Sequence, residues 1–239
     1  FYLDMKKLLV LSVIILAVIS CSKLLPKPVD SSETLGEPLE GLTSSQLALH
    51  IEGDVQFGKI FSPAEGLGPI FIQASCENCH AGDGKGNPFN NLTRFGKYDT
   101  NGVWNPMLMQ GGPQLQHRAI SGYDPEKIPA GAAISQFIAP NASGLGFLEG
   151  VTDAALLALA DSNDANADGI SGIVHWVNPP PYFVPKSSQI SNGGKYIGRF
   201  GRKAGAIDLL QQTAGAYKND MGITSDFDTQ DPINYSVSS

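Results

Sequence analysis

Cys76-Glu77-Asn78-Cys79-His80 places two thiols two residues apart and an imidazole directly after the second. That spacing is the attachment pattern of a c-type haem. The two thiols add to the two vinyl groups of one porphyrin as thioethers, and the histidine that follows is carried beneath the ring to ligate the iron. Cys76, Cys79 and His80 are therefore the expected cofactor-binding residues, with His80 as proximal ligand. C-x-x-C alone also occurs in redox dithiols and in half of a zinc site. A zinc ribbon needs a second ligand pair, and no cysteine follows Cys79. A redox dithiol should follow a buried strand, whereas Gly66-Leu67-Gly68-Pro69 reads as a turn leading into a short helix.

Working outward, the apolar residues 60, 61, 67, 70, 71 and 72 are expected to pack against one face of a haem. The run Gly82-Asp83-Gly84-Lys85-Gly86-Asn87-Pro88 turns the chain away from the motif. Both features resemble the surroundings of a cytochrome c haem.

The N-terminus supports export. Phe1 to Asp4 precede a start methionine at position 5. Lys6-Lys7 and the apolar run Leu8–Ile19 then form a charged region and a hydrophobic region too short to span a bilayer. Val18-Ile19-Ser20-Cys21 resembles the lipobox of bacterial lipoproteins, which makes residues 5–20 a signal peptide and Cys21 the lipidated residue. The chain has three cysteines. Lipidation uses Cys21 and haem uses the other two, so none is left for a disulfide. The expected location is the periplasmic face of a bacterial membrane, or an outer-membrane association. Residues 21–47, rich in Pro, Ser, Glu and Thr, read as a flexible tether, and 48–239 as the haem domain.

The formal net charge is −7, and without a basic patch nucleic acid is not an expected partner. A redox partner such as another cytochrome is. With 27 Gly and 16 Pro, much irregular chain is expected around the cofactor. Residues 89–145 have weak periodicity and read as loops with short strands or single helical turns. Thr152 is a candidate N-cap for a helix to Ala160, with Leu156, Leu157 and Leu159 as its core face. A second helix is expected over 204–217 from the three- and four-residue spacing of its apolar residues, with Gly222 placed to stop it. Between them, Asp161 to Gly172 resembles a calcium loop. Asp164, Asn166 and Asp168 alternate, Gly169 permits the sharp turn and Ile170 offers its carbonyl, but the EF-hand pattern wants a glutamate at 175, which is His175. Calcium is thus a possible second cofactor.

Several blocks, in order, resemble the bacterial di-haem c-type oxidoreductase family, also labelled thiol oxidoreductase-like. They are Gly66-Leu67-Gly68-Pro69 before Ser75-Cys76-x-x-Cys79-His80, Gly144-Leu145-Gly146-Phe147-Leu148-Glu149, Leu156-Leu157-Ala158-Leu159-Ala160-Asp161, Asp168-Gly169-Ile170-Ser171-Gly172, Gly198-Arg199-Phe200-Gly201-Arg202-Lys203-Ala204 and Asp220-Met221-Gly222-Ile223-Thr224. The resemblance implies a mainly α, cytochrome c-like haem domain with long irregular loops, distantly similar to di-haem cytochrome c peroxidases. The family carries a second C-x-x-C-H in a C-terminal domain, so this chain is expected to be the N-terminal haem half, truncated before the second haem domain.

The group across the iron is open. Met107, Met109, His117, His175 and Met221 are candidate distal ligands, and Gln114, Gln116 or His117 candidate polar groups beside an open site. Arg199 and Arg202, with Arg118, are candidates to pair haem propionates. Three functions follow: a di-haem oxidoreductase with peroxidase-like activity, an electron-transfer cytochrome lipoprotein without its own substrate, or a haem-free module organised by calcium.

Overall fold

A computed structural model describes Lys7, Gly36–Gly84 and Gly86–Tyr235. Apart from Lys7, the signal segment 5–20, Cys21 and the tether as far as Leu35 lie outside the described residues. The chain divides after Gly41, and everything below concerns the unit that begins at Leu42. No helix among the described residues is long and apolar enough to cross a membrane.

Helix α1 spans Ser44–Gly58 and starts within the stretch read as tether. Thr43 caps it reciprocally: its hydroxyl accepts the Gln46 N–H, and the Gln46 side chain accepts the Thr43 N–H at 2.9 Å. The exchange satisfies two donors that a helix start otherwise leaves unpaired. The helix buries none of its residues fully.

After a short 3-10 turn at Pro63–Glu65, the Gly66–Pro69 turn leads into strand β1, Ile70–Phe71, and not into the helix expected there. β1 pairs antiparallel with β4, Arg118–Ala119, through Ile70↔Ala119 and Phe71↔Arg118. A partner from about fifty residues downstream fixes this segment as extended, a constraint the local turn signals do not contain. The helix follows the motif instead: α2, Ala81–Gly84.

Residues 89–145 contain the largest sheet. Strand β2, Asn91–Tyr98, pairs with β5, Ala133–Ile138, over six positions from Asn91↔Ile138 to Gly96↔Ala133. Its other edge pairs with β3, Trp104–Asn105. Leu92, Thr93, Phe95 and Tyr98 suit a pleated strand, and Phe95 is among the most deeply buried side chains. Gly96 is required by packing, since a Cβ there would lie 2.2 Å from the Trp104 ring.

Two short helices follow, α3 (Leu145–Gly150) and α4 (Asp153–Ala158). Thr152 caps α4 as expected by accepting the Ala155 N–H. Its leucines are not core: Leu159 is 80% exposed, and the fully buried residue is Asp153. Strands β6 (Trp176–Val177) and β7 (Tyr196–Ile197) pair antiparallel. The last helix, α5, runs over Leu209–Met221, not 204–217. Asp208 caps it through the Gln211 N–H at 2.8 Å. The preceding residues are held in a bridge between Phe200 and Ala206, so Ala206 and Ile207 are buried in a turn. Gly222 ends the helix in the left-handed conformation, φ 70°.

The mainly α expectation is therefore overturned. Only α1 and α5 exceed two turns among the described residues, and antiparallel pairs join segments on both sides of the motif. The architecture is mixed helix and strand with much irregular chain. The physical reason is that β2 and β5 find each other across some forty residues, an encounter that weak local periodicity cannot announce.

Candidate haem-attachment site

The motif is tied to the end of α1. The last carbonyls of a helix lack internal partners, and here Phe57 O accepts the Glu77 N–H at 3.3 Å while Gly58 O accepts the Ser75 hydroxyl at 3.3 Å. The motif itself closes as a turn. Cys76 O accepts the N–H groups of Cys79 (3.1 Å) and His80 (2.9 Å), and His80 O accepts from Gly84 at the end of α2. The departing loop returns to the turn, with Asn87 N donating to Cys79 O at 2.8 Å and the Asn87 and Asn90 side chains both donating to Asn78 O.

Both thiols are free and half-buried. Cys76 packs against a cluster of Phe61, Leu67, Phe71 and Met221, which also takes in Tyr217. Of the six apolar residues expected at a haem face, Phe61, Leu67, Ile70, Phe71 and Ile72 are buried and Ile60 is exposed. Burial pushes the Cys79 thiol up to about 11, with the Asp220 charge adding to it and Arg118 opposing. Cys76 is raised by the same two causes in the same order. A redox dithiol works through a stabilised thiolate, and these surroundings disfavour one. Thioether formation would consume both thiols and remove that cost.

His80 sits 6.1 Å, centroid to centroid, from the Phe57 ring. Burial lowers its proton affinity, with the Pro140 and Gly84 carbonyls acting in the opposite sense. Its Nδ1 is buried and has no hydrogen-bond partner. Two free thiols and a half-buried imidazole in one turn are the donor set that a c-type haem requires, so these residues fit the group.

The neighbour missed by sequence reasoning is Asp220. Its carbonyl accepts the Ile72 and Gln73 N–H groups at 2.7 and 3.1 Å, which stitches the end of α5 to the strand leading into the motif. Burial pushes its carboxyl up to about 6, against the Gln114 hydrogen bond and the Arg94 charge. Its block, Asp220-Met221-Gly222, is visible in the sequence; its long-range approach to Ile72 and Gln73 is not. Gln114 and Gln116, the candidate distal amides, both donate to Asn219 O, at 3.2 and 2.9 Å, and Gln114 also donates to the Asp220 carboxylate. Arg118 donates to the Gln73 amide oxygen at 2.9 Å, and Gln73 in turn to Asn90 at 3.2 Å.

A family model described as "di-haem oxidoreductase, putative peroxidase" matches residues 27–95 and 132–235. The chain belongs to the di-haem oxidoreductase family. No curated protein and no solved structure matches it. Membership implies a haem cofactor. The family match passes over 96–131, which in this di-haem oxidoreductase carries β3, β4, Gln114, Gln116, His117 and Arg118.

Among the other candidates, Met221 is 2% exposed in the cluster that touches Cys76. Met107 is buried at the head of a 3-10 turn, and Met109 is 74% exposed. His117 is exposed; lost hydration and the Arg118 charge lower its proton affinity, with the Leu115 carbonyl opposing. His175 lies in a separate cleft, its Nδ1 against the carbonyls of Lys203 and Ala204. Arg199 is committed elsewhere, to Asp153 and to the carbonyls of Leu148 and Val151. Arg202 donates to Ile138 O and stacks over Phe137, 5.6 Å from the ring centroid.

In the acidic loop, Asp164, Asn166 and Asp168 do come together. Their side-chain oxygens accept backbone N–H groups of the loop itself: Asp168 and Gly169 donate to Asp164, Asp168 donates to Asn166, and Ile170 donates to Asp168. Among the described residues no group of three or more His, Cys, Asp or Glu side chains has the arrangement of a metal site.

Proposed function

We propose that this chain is an exported c-type haem redox protein whose oxidoreductase activity is peroxidase-like. One observation carries the reading: two free thiols and a half-buried imidazole share a single turn packed against an apolar cluster. Cys76 and Cys79 would hold the porphyrin as thioethers and His80 would ligate the iron. The bound haem supplies one-electron redox chemistry. The chain's own residues do the rest. Phe61, Leu67 and Phe71 exclude water from one side of the motif. Burial lowers the proton affinity of His80. The Asp220 carboxyl, held by Gln114, adds to burial in raising both thiols.

Protein made in a host with c-type haem maturation, reduced and then mixed with hydrogen peroxide, is expected to turn over peroxide at the expense of an added reductant. A haem that stays reduced and inert overturns the activity. A second reading, an electron carrier with another cytochrome as partner, is favoured by Met221, whose thioether is buried against Cys76. A methionine-ligated ferrous iron refuses carbon monoxide, whereas an open one binds it. Export and lipidation at Cys21 belong to the same proposal: membrane association is expected to be lost in Cys21→Ala.

A further inference from the structure

The cleft that holds His175 lies apart from the haem turn and has a chemistry of its own. It measures about 400 Å³, within the range of small-molecule sites. Leu148, Leu156, Leu159 and Ile197 give it apolar walls. Its polar equipment is narrow. His175 Nδ1 lies 3.0 and 2.9 Å from two backbone carbonyls, which only accept, so Nδ1 carries the proton. In the neutral ring the tautomer is then fixed, and Nε2, which no described residue engages, is an acceptor. Lys203 stands in the same wall, and its ammonium has no acceptor among the described residues. Gly198 lets the backbone close the floor, since a Cβ there would lie 1.9 Å from Ala204 O.

We propose that this cleft binds a small hydroxyaryl carboxylate: an aromatic body for the leucine walls, a carboxylate for Lys203 and a hydroxyl that donates to His175 Nε2. Facing this cleft explains why Leu156 and Leu159 fail to enter the core although their spacing is that of a core face. The exposure of Leu159, 80% of its surface, is the cost of keeping the cleft open. The site stands independently of the haem reading.

Titration calorimetry of 4-hydroxybenzoate into the haem-loaded chain tests it, with phenol and benzoate as probes that lack one group each. The expected dissociation constant is on the order of 1 mM, with phenol and benzoate about tenfold weaker. His175→Ala and Lys203→Ala should each weaken 4-hydroxybenzoate about tenfold, as expected for losing one polar contact. Leu159→Trp, a filling change at an exposed position that does not threaten folding, should abolish binding. Equal binding of the three probes, unchanged affinity in His175→Ala, or retained binding in Leu159→Trp overturns the proposal. A Soret shift that tracks the titration also overturns it, because the ligand is then at the iron.

Discussion

Arg199 donates to the Asp153 carboxylate with both side chains almost fully enclosed, 2% and 1% exposed. The pair joins the turn after β7 to the first turn of α4, where a negative charge also meets the helix dipole favourably. Asp153 additionally accepts the Ile190 N–H at 2.6 Å. Removing one partner strands a buried charge. Arg199→Ala is expected to cost about 3–5 kcal/mol, read as a lower urea midpoint. The double replacement Arg199→Met with Asp153→Leu should cost much less, because no charge is then left unpaired.

Two glycines, one inside α5 and one just past its end, are expected to respond oppositely to alanine. Gly222 has φ 70°, and a Cβ there would lie 2.4 Å from Ile70 O and 2.9 Å from Gly68 Cα. Neither the helix end nor β1 can move away without disturbing the approach to the motif. Gly222→Ala should therefore destabilise by more than about 1 kcal/mol, from the left-handed backbone alone, and lower haem incorporation. Gly215 lies inside the helix with only the Asn219 amide 3.8 Å from its would-be Cβ. Gly215→Ala should stabilise by up to about 1 kcal/mol. Thermal midpoints of the two variants check both signs.

Glu126 contributes a pH dependence. It is buried, and its carboxylate accepts the Gln116 N–H at 2.9 Å. Burial pushes it up to about 7, against that hydrogen bond. The folded chain thus holds the proton more tightly than the unfolded chain does. The stability it contributes is present at low pH and is lost as pH rises from the ordinary glutamate value through about 7. Glu126→Gln keeps an acceptor for Gln116 and removes the charge. The variant is expected to be more stable than the parent at pH 8 and to lose the decline between pH 5 and 8, as measured by denaturant titration across that range.

What the sequence disclosed divides along the range of the interactions involved. The Thr152 cap and the Gly222 stop are local chemistry, and each reads directly from a few neighbouring residues. β2 and β5 pair Asn91 with Ile138, and the Asp220 carbonyl accepts the Ile72 and Gln73 N–H groups where α5 ends; neither contact leaves a periodic trace. The helix expected over 204–217 begins at Leu209 because Asp208 caps it. The apolar Ala206 and Ile207, which fit the helical spacing, are buried by a bridge to Phe200 instead. Arg199 looked available for a propionate because its partner Asp153 lies far off in the chain.

Covalent haem on Cys76 and Cys79 is the central claim, and the intact mass of denatured, solvent-extracted protein tests it most directly. Chain produced with c-type haem maturation is expected to carry one haem per C-x-x-C-H, to keep it through acid-acetone extraction, and to lose it in Cys76→Ala with Cys79→Ala. His80→Ala should retain the mass of the haem while its iron loses the proximal-histidine signature. A chain whose denatured mass equals that of the bare polypeptide, or whose haem extracts freely into solvent, contradicts the account.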